Sequence, residues 1–238
     1  MSEERRKQLP PYFFTLGRYD FNYFEVLDAA RSLPVARLVL FDGSHQWPPP
    51  EVAMQAIEWL EAGAREKNVP LPSEEESRAR RRQSNAVRQI SLQLRAAEDE
   101  VEDREQNLAD ARRDMAALRK KREQASDPED LAILRRALGQ AFAQAYEAGQ
   151  RLERERKPEL AAAFYEVAAE AVPPNPALLY EIASAWAAAG EKQKALDALQ
   201  RAVALGFRDT ARLAADANFD RYRNTQGLQE LLGTMQSK

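Results

Sequence analysis

The sequence predicts a mainly helical protein that begins with a small α/β segment. Three observations support this fold class. Residues 78–125 contain neither glycine nor proline, a 34-residue pattern occurs twice after residue 141, and two short aromatic and aliphatic stretches near the beginning are typical of buried strands. The composition, with 44% hydrophobic and 31% charged residues, fits a folded, water-soluble chain.

The composition also argues against several classes of function. The chain has no cysteine and a single histidine, which argues against disulfides, thiol nucleophiles and zinc, so we expect no metal and no cofactor. The formal net charge of -3 argues against nucleic acid as a partner. No apolar run approaches the ~18 residues of a transmembrane helix, and residues 1–10 lack the apolar core of a secretory signal. We therefore expect a cytoplasmic protein without a membrane partner.

Residues 1–70 predict a strand–helix–strand–helix segment. Residues 11–17 and 36–43 are the two candidate strands, because each is short, apolar and closed by glycine. Residues 22–33 and 52–65 show the apolar spacing of helices. The predicted buried face of the second helix comprises Ala53, Ala56, Ile57 and Leu60. This order predicts two parallel strands joined by a crossover. Because so small a sheet leaves edges and one face open, either the following helices fold back over that face or a second copy covers it.

Two residues follow these strands in an order that suggests chemistry. Asp20 follows the first strand in Gly-Arg-Tyr-Asp, and His45 follows the second in Phe-Asp-Gly-Ser-His. Residues 10–66 thereby resemble the C-terminal end of an α/β-hydrolase, in which the acid and the histidine of a catalytic triad follow successive strands. The resemblance implies that Asp20 orients His45 as a general base. The simpler alternative, that His45 is an ordinary surface residue of a turn, stays open.

The nucleophile that this chemistry needs is absent from the sequence. A nucleophile elbow requires Gly-x-Ser-x-Gly, and none of the nine glycines lies four residues from another. We therefore expect a catalytically incomplete hydrolase remnant without esterase activity. The alternative is that the chain is the C-terminal portion of a longer serine hydrolase whose nucleophile lies upstream. The DNA preceding the Met1 codon would decide between these two interpretations.

Residues 71–130 predict a linker followed by one long amphipathic helix. A single heptad register holds through residues 78–125. Its a positions are Val87, Leu94, Val101, Leu108 and Met115, and its d positions are Ile90, Ala97, Arg104, Ala111 and Leu118. Alanines and Arg104 weaken this heptad seam, so we expect an antiparallel hairpin with a second helix that starts near residue 128. Coiled-coil pairing of residues 80–120 between two copies is the rival interpretation.

Residues 131–238 predict a domain of repeated helical pairs. Residues 142–175 and 176–209 match each other in helical spacing and in the small residues at which paired helices cross closely. The matched positions are Gly149 with Ala183, Ala161 with Ala195, Tyr165 with Leu199 and Ala168 with Ala202. Both units resemble the tetratricopeptide repeat, and with a C-terminal cap the resemblance covers about residues 142–235.

The resemblance implies a concave groove lined by fixed positions of the first helix of each repeat. These positions hold Ala143, Tyr146, Gln150, Glu153, Ala177, Tyr180, Ser184 and Ala187. We expect a small, aromatic and nearly uncharged groove that binds a protein or peptide ligand. The candidate binding residues are Tyr146, Gln150, Tyr180 and Ser184. The alternative is that the two tyrosines pack against neighbouring helices. The predicted function is a protein-interaction module, in which two copies could associate through residues 80–120 or the N-terminal sheet edge.

Overall fold

The computed structural model describes residues 9–64, 66–99 and 102–236. The described part is mainly helical and contains one parallel sheet of two strands, which confirms the predicted fold class at this level. The chain divides into two compact units. Met1–Val87 with Lys121–Gln140 is called the N-terminal unit, and Arg88–Lys120 with Ala141–Lys238 is called the C-terminal unit.

The N-terminal unit contains the predicted strand–helix–strand–helix segment. It consists of β1 (Tyr12–Gly17), α1 (Tyr23–Ser32), β2 (Ala36–Phe41) and α2 (Pro50–Glu61). The two strands pair in parallel along all 6 residues of each. The parallel pairing and the crossover through α1 are therefore confirmed.

One face of this sheet is closed by later helices of the same unit. The buried cluster on this face comprises Leu16, Leu38, Phe24, Leu27, Ala79 and Ile133. Ala79 and Ile133 belong to helices that follow the segment in the chain. Of the two predicted ways to cover this face, the structure shows the folding back of the later helices.

The burial of α2 differs from the prediction. The side chains that α2 buries are Val52 and Trp59, and the Trp59 ring lies 5.8 Å from that of Phe13 on β1. Ile57 and Leu60, which belong to the predicted buried face, are 47% and 49% exposed. The prediction was wrong because the apolar arc of α2 is wider than the part that the sheet covers.

The predicted single helix over residues 78–125 is two helices in the structure. α3 (Glu74–Asp99) and α4 (Arg104–Gln124) are separated by a turn that includes residues 102 and 103. Five carboxyl side chains lie between residues 98 and 103. They account for the break, because negative charge disfavours the C-terminal end of one helix and favours the N-terminal end of the next. Arg104 closes the turn, since its Nε donates a hydrogen bond to the carbonyl of Ala97 at 2.8 Å.

The described residues of the heptad seam are buried, except for Arg104, which is partly buried; Val101 lies outside the described residues. The buried seam residues are Val87, Ile90, Leu94, Ala97, Leu108, Ala111, Met115 and Leu118.

In the C-terminal unit, α3 runs parallel to α5 (Pro128–Arg154). Ser91 pairs with Gln144, and further along both helices Glu98 pairs with Arg151. The structure therefore has three helices in succession where the sequence predicted a two-helix hairpin.

The rest of the C-terminal unit consists of shorter helices. They are α6 (Pro158–Ala169), α7 (Pro176–Ala189), α8 (Lys192–Ala204), α9 (Thr210–Ala215), a 3₁₀ helix (Ala217–Tyr222) and α10 (Gln226–Gln236). Two consecutive helix–turn–helix pairs result, the first from the end of α5 with α6 and the second from α7 with α8.

Small side chains occupy the predicted crossings of these pairs. Those that are fully buried are Ala161, Ala168, Ala183, Ala195 and Ala202. At Gly149 a Cβ would lie only 2.5 Å from the ring of Tyr165 on α6. Gly190 ends α7 with a φ of 88°, a left-handed conformation that glycine adopts without strain. The helices of each pair therefore approach closely where the sequence places its smallest residues.

Candidate functional site

The loops that follow β1 and β2 bring Asp20 and His45 together as an acid–histidine pair. Nδ1 of His45 lies 3.2 and 3.3 Å from the two carboxylate oxygens of Asp20. A carboxylate only accepts hydrogen bonds, so this contact places the ring hydrogen on Nδ1 and leaves Nε2 as the basic nitrogen. Asp20 is buried, whereas the His45 side chain is 65% exposed. The pair therefore has the orientation that a general base requires, at an open surface.

Glycine at position 17 allows this contact to form. A Cβ at Gly17 would lie 2.5 Å from the carbonyl oxygens of both Gly43 and Ser44. The N–H of Tyr19 donates to the carbonyl of Gly43 at 2.9 Å, so the two loops stay side by side beyond the ends of the strands. Because the carboxyl ends of parallel strands lie at the same edge of a sheet, the acid and the histidine meet there.

The candidate groove residues divide into a buried pair and an open pair. Tyr180 and Ser184 are buried, whereas Tyr146 is partly buried and Gln150 is exposed. Asp216 encloses the buried pair, because its Oδ2 accepts hydrogen bonds from Tyr180 OH at 2.8 Å and from Ser184 Oγ at 2.7 Å. Tyr180 and Ser184 therefore hold the C-terminal segment in place, and Tyr146 and Gln150 are the two candidate binding residues that remain accessible.

Further contacts close the buried half of the groove around Tyr180. Its ring stacks on Phe207 with 4.6 Å between the centroids, and the Arg212 guanidinium lies 4.4 Å from the Tyr180 centroid. Arg212 in turn pairs with Glu181 at 2.5 Å. Burial raises the pKa of Tyr180, and the Asp216 carboxylate raises it further. The hydroxyl therefore stays protonated and remains a hydrogen-bond donor.

The open half of the groove lies on α5 and is aromatic. The Tyr146 ring stacks on Phe142 with 5.5 Å between the centroids and lies 5.3 Å from the ring of Tyr165. The Tyr165 hydroxyl donates a hydrogen bond to Glu153 at 2.8 Å. Tyr146 and Gln150 thus stand beside a carboxylate that α6 holds in a fixed position.

The groove carries more charge than the sequence predicted. Glu181, Glu153 and Arg212 all lie close enough to Tyr146 to influence its ionisation. Burial raises the pKa of Glu153, and the charges of Glu181 and Asp216 raise it as well. The carboxylates here belong to Glu153, Glu181 and Asp216, and the guanidinium belongs to Arg212. This part of the groove therefore has an excess of negative charge.

Sequence reasoning missed Arg212, Asp216 and Asn218, whose side-chain amide donates a hydrogen bond to Ser184 Oγ at 2.9 Å. Asp216 lies 36 residues after Tyr180, so no local spacing connects the two. One signal was present, because Asp209 and Asp216 each precede a short helix and accept a hydrogen bond from a main-chain N–H, of Arg212 and Asn218 respectively. This N-cap pattern predicts the short helices but not what they enclose.

No family model, curated protein or solved structure matches this chain. Within residues 9–64, 66–99 and 102–236, no cluster of three or more histidine or carboxylate side chains could hold a metal ion. In the same residues, no helix combines the length and the apolar character needed to cross a membrane. Function therefore has to be inferred from the acid–histidine pair and the groove themselves.

Proposed function

We propose that the protein is an interaction module built on tetratricopeptide-like repeats, and that the open half of its groove binds a segment of another protein. The observation that carries the proposal is the accessible row of Tyr146, Gln150 and Glu153 on α5. Tyrosine supplies a large contact surface at low cost in side-chain entropy, and the two polar residues supply hydrogen bonds. The enclosed Tyr180 forms the adjoining wall.

The charge of the groove favours a segment that carries lysine or arginine. A cation beside Tyr146 would gain a carboxylate partner in Glu153 and the face of an aromatic ring. Because burial raises the pKa of Glu153, its charge is poorly solvated in the free protein, and a bound cation would compensate for this. The guanidinium of Arg212, held between Tyr180 and Glu181, is an example of the same kind of contact within the chain.

Selection from a random-peptide phage library on the full-length chain tests this proposal. We expect the wild type to enrich peptides that contain lysine or arginine, and Tyr146→Ala to lose them. Gln150→Ala is a second variant that leaves the fold intact, because Gln150 is exposed, and it should reduce the enrichment. Absence of enrichment on the wild type, or retention of the same peptides by both variants, would show that the groove is not the binding surface.

The acid–histidine pair favours a second candidate function, which is acyl hydrolysis by a longer form of the chain. In such a form Nε2 of His45 would take the proton from a serine hydroxyl, and Asp20 would stabilise the imidazolium. The two residues are in contact and correctly oriented for this role. The nucleophile elbow that would carry the serine is not in this sequence.

A fluorophosphonate probe tests whether this chain, without a longer form, is itself a hydrolase. With this chain, we expect no labelled serine and no turnover of short acyl esters above background. Stoichiometric labelling that disappears in His45→Ala would establish a hydrolase and contradict the expectation of an incomplete site.

A further inference from the structure

Among the described residues, none pairs with the outer edge of β1, whereas the outer edge of β2 has a partner. The outer edge of β2 is covered by Asn68, which exchanges main-chain hydrogen bonds with Ala36 and Leu38 at 2.8 and 2.9 Å. No described residue pairs with the outer edge of β1 in this way. The strand, Tyr-Phe-Phe-Thr-Leu-Gly, contains neither a charged residue nor proline, the features by which proteins usually protect an exposed edge.

Phe13 and Thr15 present the main-chain groups of this edge. The N–H groups of Tyr12 and Arg18 donate to carbonyls on the β2 side at 3.2 and 3.0 Å. Because alternate residues of a strand bond to the same neighbour, the even-numbered residues of β1 face β2. The N–H and C=O groups of Phe13 and Thr15 therefore point outward. Gly17 offers fewer free main-chain groups to a new strand than Phe13 and Thr15 do. Its carbonyl already accepts a hydrogen bond from the N–H of Asp20, at 3.1 Å.

α2 packs on this same strand and leaves half of its apolar surface uncovered. At 100° per residue, six apolar side chains of α2 form one continuous arc of about 160°. In order around the helix they are Trp59, Val52, Ala56, Leu60, Ala53 and Ile57. Burial decreases in the same order, from the buried Trp59 and Val52 through the partly buried Ala56 to three exposed side chains. Met54, at the border of the arc, is 52% exposed. The uncovered half is continuous with the half that packs on β1.

We propose that a second copy of this chain pairs antiparallel with β1, and that the uncovered halves of the two α2 helices pack against each other. A two-fold axis perpendicular to the sheet keeps both α2 helices on the same face of the joined sheet. Helices pack 8–10 Å apart, about twice the ~4.8 Å between strands, so two helices cover the four joined strands. One symmetric contact thus covers both the free edge and the apolar surface, whereas a lone added strand would leave α2 uncovered.

The available main-chain groups fix the register of this pairing. With the axis at Phe14, Phe13 of one copy lies opposite Thr15 of the other, and each such pair exchanges two hydrogen bonds. A shift in one direction would require an N–H from Pro11, which has none, and a shift in the other would require the occupied carbonyl of Gly17. Phe14 therefore lies opposite its own copy, with the two Cα atoms about 4.5 Å apart.

The absence of native cysteine makes the register testable by disulfide formation in the full-length chain. Phe14→Cys should form an intermolecular disulfide on mild oxidation, because about 4.5 Å is a Cα separation that a disulfide spans. Tyr12→Cys is the matched control on the same face of the same strand. Its two thiols belong to residues about 13 Å apart in this register, which no disulfide bridges.

Sedimentation equilibrium tests the dimer with variants of α2 that leave the sequence of β1 unchanged. The wild type should approach twice the chain mass of 26.9 kDa at micromolar concentrations. Ile57→Lys should raise the dimer Kd by at least about tenfold, because it places a charge in the apolar contact. Glu58→Lys, on the polar side of the same helix, should change the Kd by less than about twofold.

A wild-type chain that stays at the monomer mass at its highest soluble concentration would overturn the proposal and leave the edge to a strand of a different protein. A dimer that Ile57→Lys and Glu58→Lys weaken equally would overturn it too. Cross-linking at position 12 in preference to position 14 would also do so, because the register rests on the edge groups of β1.

Discussion

The variant Gly149→Ala tests the close contact between α5 and α6. A Cβ at position 149 would lie 2.5 Å from Cε1 and 2.7 Å from Cδ1 of Tyr165. Tyr165 is buried and its hydroxyl is held by Glu153, so the ring has little freedom to move aside. Alanine in a helix interior is worth about 1 kcal/mol relative to glycine, whereas overpacking costs about 1–3 kcal/mol. We expect a net loss of about 1 kcal/mol in the free energy of unfolding.

Gly233→Ala on α10 is the matched control, because a Cβ at position 233 meets nothing within 4 Å. Thermal unfolding followed by circular dichroism should place the midpoint of Gly149→Ala about 4–8 °C below that of the control. The control gains about 1 kcal/mol from alanine while Gly149→Ala loses about 1 kcal/mol, and each kcal/mol shifts Tm by about 2–4 °C in a chain of this size. Adding Tyr165→Leu should make Gly149→Ala less harmful, because the smaller side chain leaves room. The reasoning is refuted if Gly149→Ala melts at or above the control.

Two further substitutions test contacts within the N-terminal unit and within the C-terminal unit, respectively. Hydrogen bonding to Arg31 lowers the pKa of Glu76, so this pair stabilises the fold above the ordinary glutamate pKa of 4.5 and the stabilisation is lost as the pH falls through the lowered value. Glu76→Gln should therefore flatten the acid side of a plot of Tm against pH, and an equal flattening by Glu75→Gln would refute this. Ala195→Leu should lower the free energy of unfolding by about 1–3 kcal/mol by forcing α7 and α8 apart. Lys192→Leu, at an exposed position, should change it by less than about 0.5 kcal/mol in denaturant titrations, and the reverse order would contradict the assigned burial of α8.

Features that depend on local spacing could be predicted from the sequence. The helical pairs of the C-terminal unit were predictable because two helices that cross closely need small residues at the crossing. Ala183 and Ala195 occupy such positions at helical spacing. The contact of Asp20 with His45 was predictable for a topological reason. Once the two strands are parallel, the residues that follow them meet at one edge of the sheet.

Features that depend on what packs against an element could not be predicted in the same way. The heptad pattern continues in register across the turn between α3 and α4, so it conceals the break. The apolar arc of α2 is wider than its buried part, and periodicity cannot decide which half the sheet covers. The enclosure of Tyr180 depends on where Asp216 folds, and 36 residues separate the two in the chain.

The proposed groove is tested most directly by the affinity of a lysine-containing peptide from the library selection, measured by fluorescence anisotropy. Glu153→Gln should weaken binding by about tenfold or more, because a hydrogen bond to a charged group contributes about 1.5–3 kcal/mol. It should not lower Tm, because Tyr165 keeps an amide oxygen as acceptor and a poorly solvated charge is removed. Glu230→Gln, at an exposed position of α10, should leave the Kd within about twofold of the wild type. Equal affinities of the wild type, Glu153→Gln and Glu230→Gln would contradict the proposal that this groove binds its partner.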